Sequence, residues 1–177
     1  MSDATDLKLT DYIRSIPDFP KPGVLFRDIT PLLASPRAFG EAVRQLAARF
    51  RDQKIDAIAA AEARGFLFAA PLALELGTAL VPIRKPGKLP YETISHTYEL
   101  EYGTDTLEIH ADAIPAGANV LVVDDLLATG GTIEACCQLV EKAGGRVVAC
   151  AFVIELVGLA GAEKIAQYGH VSLIRYD

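Results

Sequence analysis

Val120-Leu121-Val122-Val123-Asp124-Asp125-Leu126-Leu127-Ala128-Thr129-Gly130-Gly131-Thr132 decides the fold class of this 177-residue chain. Its four leading apolar residues read as a strand of a parallel sheet, covered on both faces. Asp124 and Asp125 follow where that strand is expected to end, and the small residues 128–132 then open a helix. In open α/β sheets ligands bind beyond the carboxyl ends of the strands, and loop amides at a helix N-terminus form a nest for anions. The run therefore offers N–H donors to a phosphate and carboxylate acceptors to hydroxyls, which suits a sugar phosphate. Two adjacent like charges at a strand end cost stability unless a ligand engages them, and this separates the run from an ordinary strand followed by a capped helix. A Walker-type nucleotide site needs Gly-x-x-x-x-Gly-Lys-Ser/Thr as well; Gly87-Lys88 is followed by Leu89, and no such run exists.

Outward from this run, the composition narrows the class. The length fits one domain, and 51% of the residues are hydrophobic, enough for a full core. No apolar stretch is long enough to span a bilayer. Asp3, Asp6 and Asp11 occupy the N-terminal region in place of a basic, apolar signal pattern, so a cytoplasmic protein with no membrane partner is expected. Cys136, Cys137 and Cys150 form an odd set without metal-ligand spacing, as expected of reduced thiols, and the adjacent pair reads as small core fillers. His96, His110 and His170 are scattered and lack the spacing of a metal site. A net charge of −6 provides no global basic field for nucleic acid, yet Arg84, Lys85 and Lys88 cluster around Gly87 as a local polyanion site.

The hydrophobic pattern predicts an amphipathic helix over 6–16, an extended segment through Pro17, Pro20 and Pro22 to Gly23, and a helix over 36–52 with Ser35 as N-cap and Pro36 at its first position. A buried strand over 55–61 leads to a helix over 64–76 closed by Gly77, with Pro71 expected to disturb a turn. A strand over 78–84 follows, its far end weakened by Pro82, then a Pro/Gly-rich loop over 85–91. Alternating stretches at 97–100 and 106–110 flank Tyr102-Gly103-Thr104-Asp105 as a hairpin. Beyond strand 119–124 come a helix over 132–143, a strand over 146–154, a short helix near 160–167 and a strand over 171–174. This alternation predicts a mainly parallel, twisted α/β sheet flanked by helices with right-handed crossovers.

Three further constellations carry chemistry. Glu62-Ala63-Arg64-Gly65 follows the strand over 55–61, so backbone amides and a guanidinium meet at a helix start, a setting for pyrophosphate; the same residues also suit a plain surface turn. The stretch from Arg84 to Glu108, with Lys85, Lys88, Tyr98, Glu99, Glu101 and Tyr102, is too long for a simple connection and reads as a lid able to exclude water, or as an exposed hairpin of mixed charge. In Phe19-Pro20-Lys21-Pro22-Gly23-Val24-Leu25-Phe26-Arg27-Asp28-Ile29-Thr30-Pro31, prolines stiffen a backbone whose C=O and N–H groups match the donor–acceptor edge of adenine, with Phe26 as a stacking partner. A hydrophobic clasp over the core would use the same composition.

The run 120–132 resembles the phosphoribosyl-pyrophosphate (PRPP) motif of type I phosphoribosyltransferases. Taken with residues 19–31, 62–66, 83–90 and 100–110, the chain resembles the adenine phosphoribosyltransferases nearly end to end. The resemblance implies a single domain over 1–177, with a base-binding hood over 1–34 and a flexible lid over 84–110. It implies transfer of the phosphoribosyl group of PRPP to adenine, giving AMP and pyrophosphate with Mg²⁺, by a cytoplasmic homodimer. Residue by residue, Asp124 and Asp125 are to accept from the ribose hydroxyls, and Ala128, Thr129, Gly130, Gly131 and Thr132 to cradle the 5-phosphate. Glu62, Ala63, Arg64, Gly65, Lys85, Lys88 and Tyr102 are to face pyrophosphate, with Arg84 in that set from its own or a neighbouring subunit. Leu25, Phe26 and Arg27 are to hold adenine, Glu101 is to handle the purine proton, and Arg64 is to serve catalysis with it from the pyrophosphate side. Mg²⁺ is to be held by PRPP and water rather than by the protein directly. A non-proline cis peptide is implied within residues 62–64. Pro86 departs from members that carry a third basic residue there. Transfer to a 6-oxopurine, or a PRPP-sensing regulator, remain the alternatives; a regulator would need a DNA-reading element or a basic face.

Overall fold

A computed structural model of the chain describes residues 7–99 and 103–177. Five strands form its central sheet: β3 (Ala57–Ala61), β4 (Ala79–Ile83), β7 (Asn119–Leu127), β8 (Arg146–Leu156) and β9 (His170–Tyr176), in the order β4-β3-β7-β8-β9. All are parallel, as the strand–helix alternation predicts. Two antiparallel pairs lie outside this sheet: β1 (Arg14–Pro17) with β2 (Leu25–Asp28), and β5 (Thr93–Glu99) with β6 (Thr104–His110).

The helices start and stop where local chemistry dictates. In α2 (Pro36–Phe50), Pro36 opens the helix and Ser35 Oγ accepts from Ala38 N at 3.2 Å. In α3 (Gly65–Leu76), Pro71 is accommodated inside the helix, and Gly77 closes it at φ 66°, a left-handed conformation that glycine adopts without penalty. α4 (Gly131–Lys142) starts from Gly130, also left-handed at φ 83°. The short α1 (Thr30–Ala34) and α5 (Gly161–Lys164) complete the set.

The sheet is covered on both faces. Ile58, Ala60, Leu121 and Val123 pack with α2 and α3 on one side, whereas Ala57, Ala59, Val120 and Val122 pack with α4 and the β5–β6 pair on the other. This double burial is why the strands read as continuous apolar runs. Cys136, Cys137 and Cys150 are free thiols within the second layer, the core role expected of the adjacent pair.

Several expectations are corrected. Of the helix expected over 6–16, the described residues 7–16 form none: a 3-10 turn (Leu9–Tyr12) gives way to β1, because Ile16 and its neighbours gain a strand partner in β2. Strand β7 runs on to Leu127, so the Asp pair lies inside the strand near its end rather than after it. The last helix is limited to Gly161–Lys164, and β8 and β9 extend to Leu156 and Tyr176. Pro82 is accepted because β4 is an edge strand: Glu62 N donates to Ile83 O, so Pro82, one residue earlier, turns its missing N–H away from β3.

Candidate active site

The strand order reverses direction between β3 and β7: the chain leaves β3 toward β4 on one side, and β7 toward β8 and β9 on the other. Ligands bind at such a switch point, and the residues singled out from the sequence converge there. Arg64, Asp124, Asp125 and loop 128–132 line one cavity of about 220 Å³. Arg64 ends the turn after β3 and precedes α3. Within that turn the Glu62–Ala63 peptide is cis, inside the segment that the resemblance implies. Gly65 is required by proximity: a Cβ there would lie 3.0 Å from Asp124 Oδ1 and 3.2 Å from Val123 O.

The acid pair is electrostatically loaded. Asp125 is only 2% exposed, and its N–H donates to Asp124 Oδ1 at 2.8 Å. Arg64 Nε lies 3.0 Å from Asp125 Oδ2, yet its N–H is not aimed along that contact, so Oδ2 is a buried acceptor without a hydrogen bond. Burial pushes the Asp124 carboxyl well above the usual carboxylate range, and the neighbouring Asp125 charge adds to the rise. Burial also raises Asp125, while the Arg64 guanidinium opposes the shift. The pair thus holds protons more readily than free aspartates, with Asp124 the more strongly affected. Asp124 and Asp125 border the cavity beside Arg64 and the loop, where a carboxylate can accept from a hydroxyl.

Beside the acids, Gly130 places the loop at the start of α4, and no side chain caps that helix, so its first amides are left for an anion. Tyr98 of β5 reaches over the loop, its hydroxyl 3.4 Å from Thr132 Oγ1.

The cations expected to face pyrophosphate are in reach but engaged. Glu62 accepts from Lys85 N at 2.5 Å and from Arg84 Nη2 at 3.1 Å; the Lys85 amide, and then the Arg84 guanidinium, hold its carboxyl below the ordinary range. Lys85 Nζ pairs with Asp105 Oδ2 at 3.0 Å, which raises the lysine and lowers the aspartate. Lys88 is exposed, and its carbonyl oxygen accepts from Arg84 Nη1 at 3.4 Å. Arg84 is thereby tied to its own chain. The inner part of the hairpin is fastened too: Arg84 and Glu108 exchange both backbone hydrogen bonds, and Leu107 and Ile109 are core residues. Glu101 and Tyr102 lie outside the described residues.

The β1–β2 segment meets the site at Arg64, whose Cζ lies 5.6 Å from the Phe26 ring centroid. Phe26 stacks edge-on against Phe19, 5.1 Å between centroids, and Leu25 is half exposed beside it. Arg27 is clamped: its guanidinium donates to Ser15 Oγ across the β1–β2 pair and lies 3.7 Å over the Tyr176 ring at the end of β9. Asp28 accepts from Thr30 N and Oγ1 at 2.9 and 2.6 Å, fixing the exit into α1. Sequence reasoning missed Ser15, Tyr176 and Asp105. The first two carry no local signal, since their partner is remote in the chain; Asp105 is indistinguishable from an ordinary turn aspartate.

Among the described residues no three carboxylates, histidines or thiols converge as a metal site. The two aspartates nevertheless fit a Mg²⁺ ion that would arrive with a phosphorylated ligand and keep its waters, since carboxylates bordering the cavity can accept from those waters without binding the ion.

Comparison with known proteins agrees with this geometry. A model of the phosphoribosyl transferase domain matches residues 32–172. An adenine phosphoribosyltransferase of Maridesulfovibrio salexigens is 60% identical over 169 residues, covering 96% of this chain and 99% of that protein. Crystal structures of adenine phosphoribosyltransferases superpose closely. That from Thermoanaerobacter pseudethanolicus has a TM-score of 0.92 at 55% identity, covering 95% of this chain and 98% of the other. That from Saccharomyces cerevisiae, complexed with an imino-altritol bisphosphate and adenine, has a TM-score of 0.88 at 43% identity, covering 93% and 96%. By these matches the chain belongs to the phosphoribosyltransferase family and, within it, to the adenine phosphoribosyltransferases.

Proposed function

We propose that this chain transfers the 5-phosphoribosyl group of PRPP to adenine, forming AMP and pyrophosphate, the chemistry of purine salvage. The observation that carries the reading is the convergence of Arg64, the Asp124–Asp125 pair and loop 128–132 on one cavity at the switch point. In the reaction the bond from ribose C1 to pyrophosphate oxygen breaks, the bond from C1 to adenine N9 forms, and the N9 proton leaves. Loop amides hold the 5-phosphate, and Asp124 and Asp125 accept from the ribose hydroxyls. Arg64, with Ala63 and Gly65 amides, meets the pyrophosphate, and Lys85 and Lys88 join once Lys85 exchanges Asp105 for substrate. Arg84 acts with Glu62 of its own chain. Phe26 stacks on adenine while backbone groups of Leu25 and Arg27 read its edge, and Glu101 carries the purine proton. Mg²⁺ bound with PRPP neutralises charge on the departing pyrophosphate.

The same reading takes the active form as a homodimer in the cytoplasm. Its support is the apolar surface on α3 and β4, where Leu67, Leu74 and Leu80 are exposed at 43%, 87% and 39%, and the free, buried thiols. No described helix is long and apolar enough to cross a membrane. The test is an assay of pyrophosphate release from PRPP with adenine, hypoxanthine, guanine and orotate in turn. Turnover is expected with adenine; turnover confined to a 6-oxopurine would replace the base assignment, and none with any base would refute the enzyme reading.

A further inference from the structure

The phosphate loop rests on a second backbone. A Cβ on Gly161, at the start of α5, would overlap Ala128 O and lie 2.9 Å from Gly130 N; a Cβ on Gly130 would lie 2.6 Å from Gly161 O. Two facing glycines are what let these chains touch, so the position of residues 128–130 is set by a segment distant in sequence. On the same side a cavity of about 490 Å³ opens, sharing Thr129 and Gly131 with the acid-lined cavity. Its other walls include Glu99, Glu163 and Lys164. Lys164 Nζ lies 3.9 Å from the position that a Cβ on Gly131 would take, at the mouth of the amide nest. A phosphate dianion on that nest would face two glutamates, and Lys164 is the cation among the residues lining this cavity. Arg64 lies across the loop, in the acid-lined cavity.

We propose that residues 157–164 form the second half of the donor's 5-phosphate site, with Gly161 positioning the loop by backbone contact and Lys164 pairing with the phosphate dianion. This rests on the reading of loop 128–132 as the phosphate cradle. The charge role follows from Coulomb attraction in a partly enclosed cleft that otherwise carries carboxylates. The positioning role follows from steric exclusion: an alanine at either glycine must displace the loop whose amides bind the anion.

Calorimetric titration of the full chain with AMP and with adenosine separates the two readings. A wild type that binds both equally would overturn the cradle itself. Given a preference for AMP, Lys164→Gln should weaken AMP about fivefold, the upper range for an exposed ion pair, leave adenosine unchanged and lose part of the salt dependence of AMP binding, while Lys164→Arg restores it. Unchanged AMP affinity in Lys164→Gln overturns the charge role while leaving the cradle standing. Gly161→Ala should raise KM for PRPP with KM for adenine unaltered; an unaltered KM for PRPP in the folded variant overturns the positioning role. Should that variant not fold, the Lys164 pair of variants still decides, because a cradle insensitive to Lys164 removes the proposed second half.

Discussion

Asp124, Asp125 and loop 128–132 come from one uninterrupted stretch, whereas Phe26 reaches the same site by its contact with Arg64, and its neighbour Arg27 is anchored by Ser15 and Tyr176 from opposite ends of the described chain. The donor side is set by a strand end and a helix start whose geometry follows from local dihedrals and flanking core. The proposed base side is an assembly, its placement resting on contacts between segments remote in the chain. On the proposed function, donor chemistry is local, while the part that would choose a base depends on long-range placement.

Glu101→Gln breaks the base side hardest. Positioned proton transfer contributes about 10²–10⁴-fold, so kcat with adenine should fall within that range in single-turnover measurements, with a far smaller change in PRPP affinity and a milder effect from Glu99→Gln. Near-normal turnover would remove the carboxylate from the proton path.

On the donor side, Asp124→Asn and Asp125→Asn should each raise KM for PRPP and lower turnover about 10- to 100-fold, the scale of a lost charge-assisted hydrogen bond. Stability should move oppositely. Both carboxyls titrate above their ordinary values in the folded chain, so between the unfolded and folded pKa the native state binds more protons, and stability falls as pH rises through that window. Asp124→Asn removes that residue's share of this decline; thermal unfolding across the acid-to-neutral range should show a flatter profile than wild type. A steeper one would place the shift elsewhere.

Phe26→Leu sharpens the contrast. An aromatic stacking contribution of about 0.5–1.5 kcal/mol corresponds to a rise in KM for adenine of roughly two- to twelvefold, with PRPP affinity kept because the cradle does not depend on the hood. Equal losses for both substrates would merge the two regions into one.

The smallest effect concerns Lys85, shared between Asp105 and the substrate. Asp105→Asn frees it and should lower KM for PRPP by up to about fivefold, the upper range for an exposed pair; a raised KM would make Asp105 a supporting residue rather than a competitor.

That the acid pair and loop 128–132 line one cavity was legible because the signals lie within a few residues: apolar run, acids, small loop, helix. Gly65 and Arg64 were legible for the same reason. Boundaries slipped where tertiary pairing overrides local pattern, as when Ile16, spaced with Ile13 for a helix, joined β1 beside β2. Ser15, Tyr176 and Asp105 escaped because nothing in a tyrosine near the end of a strand says that an arginine from β2 will lie over it.

Pro82 has a consequence for association. With β4 at the rim of the sheet and its proline turned outward, that rim lacks a regular row of donors on which a foreign strand could build. A second copy that met the chain there would meet it through side chains such as Leu80 and the leucines of α3, and edge-to-edge growth of the kind that ends in fibres is disfavoured.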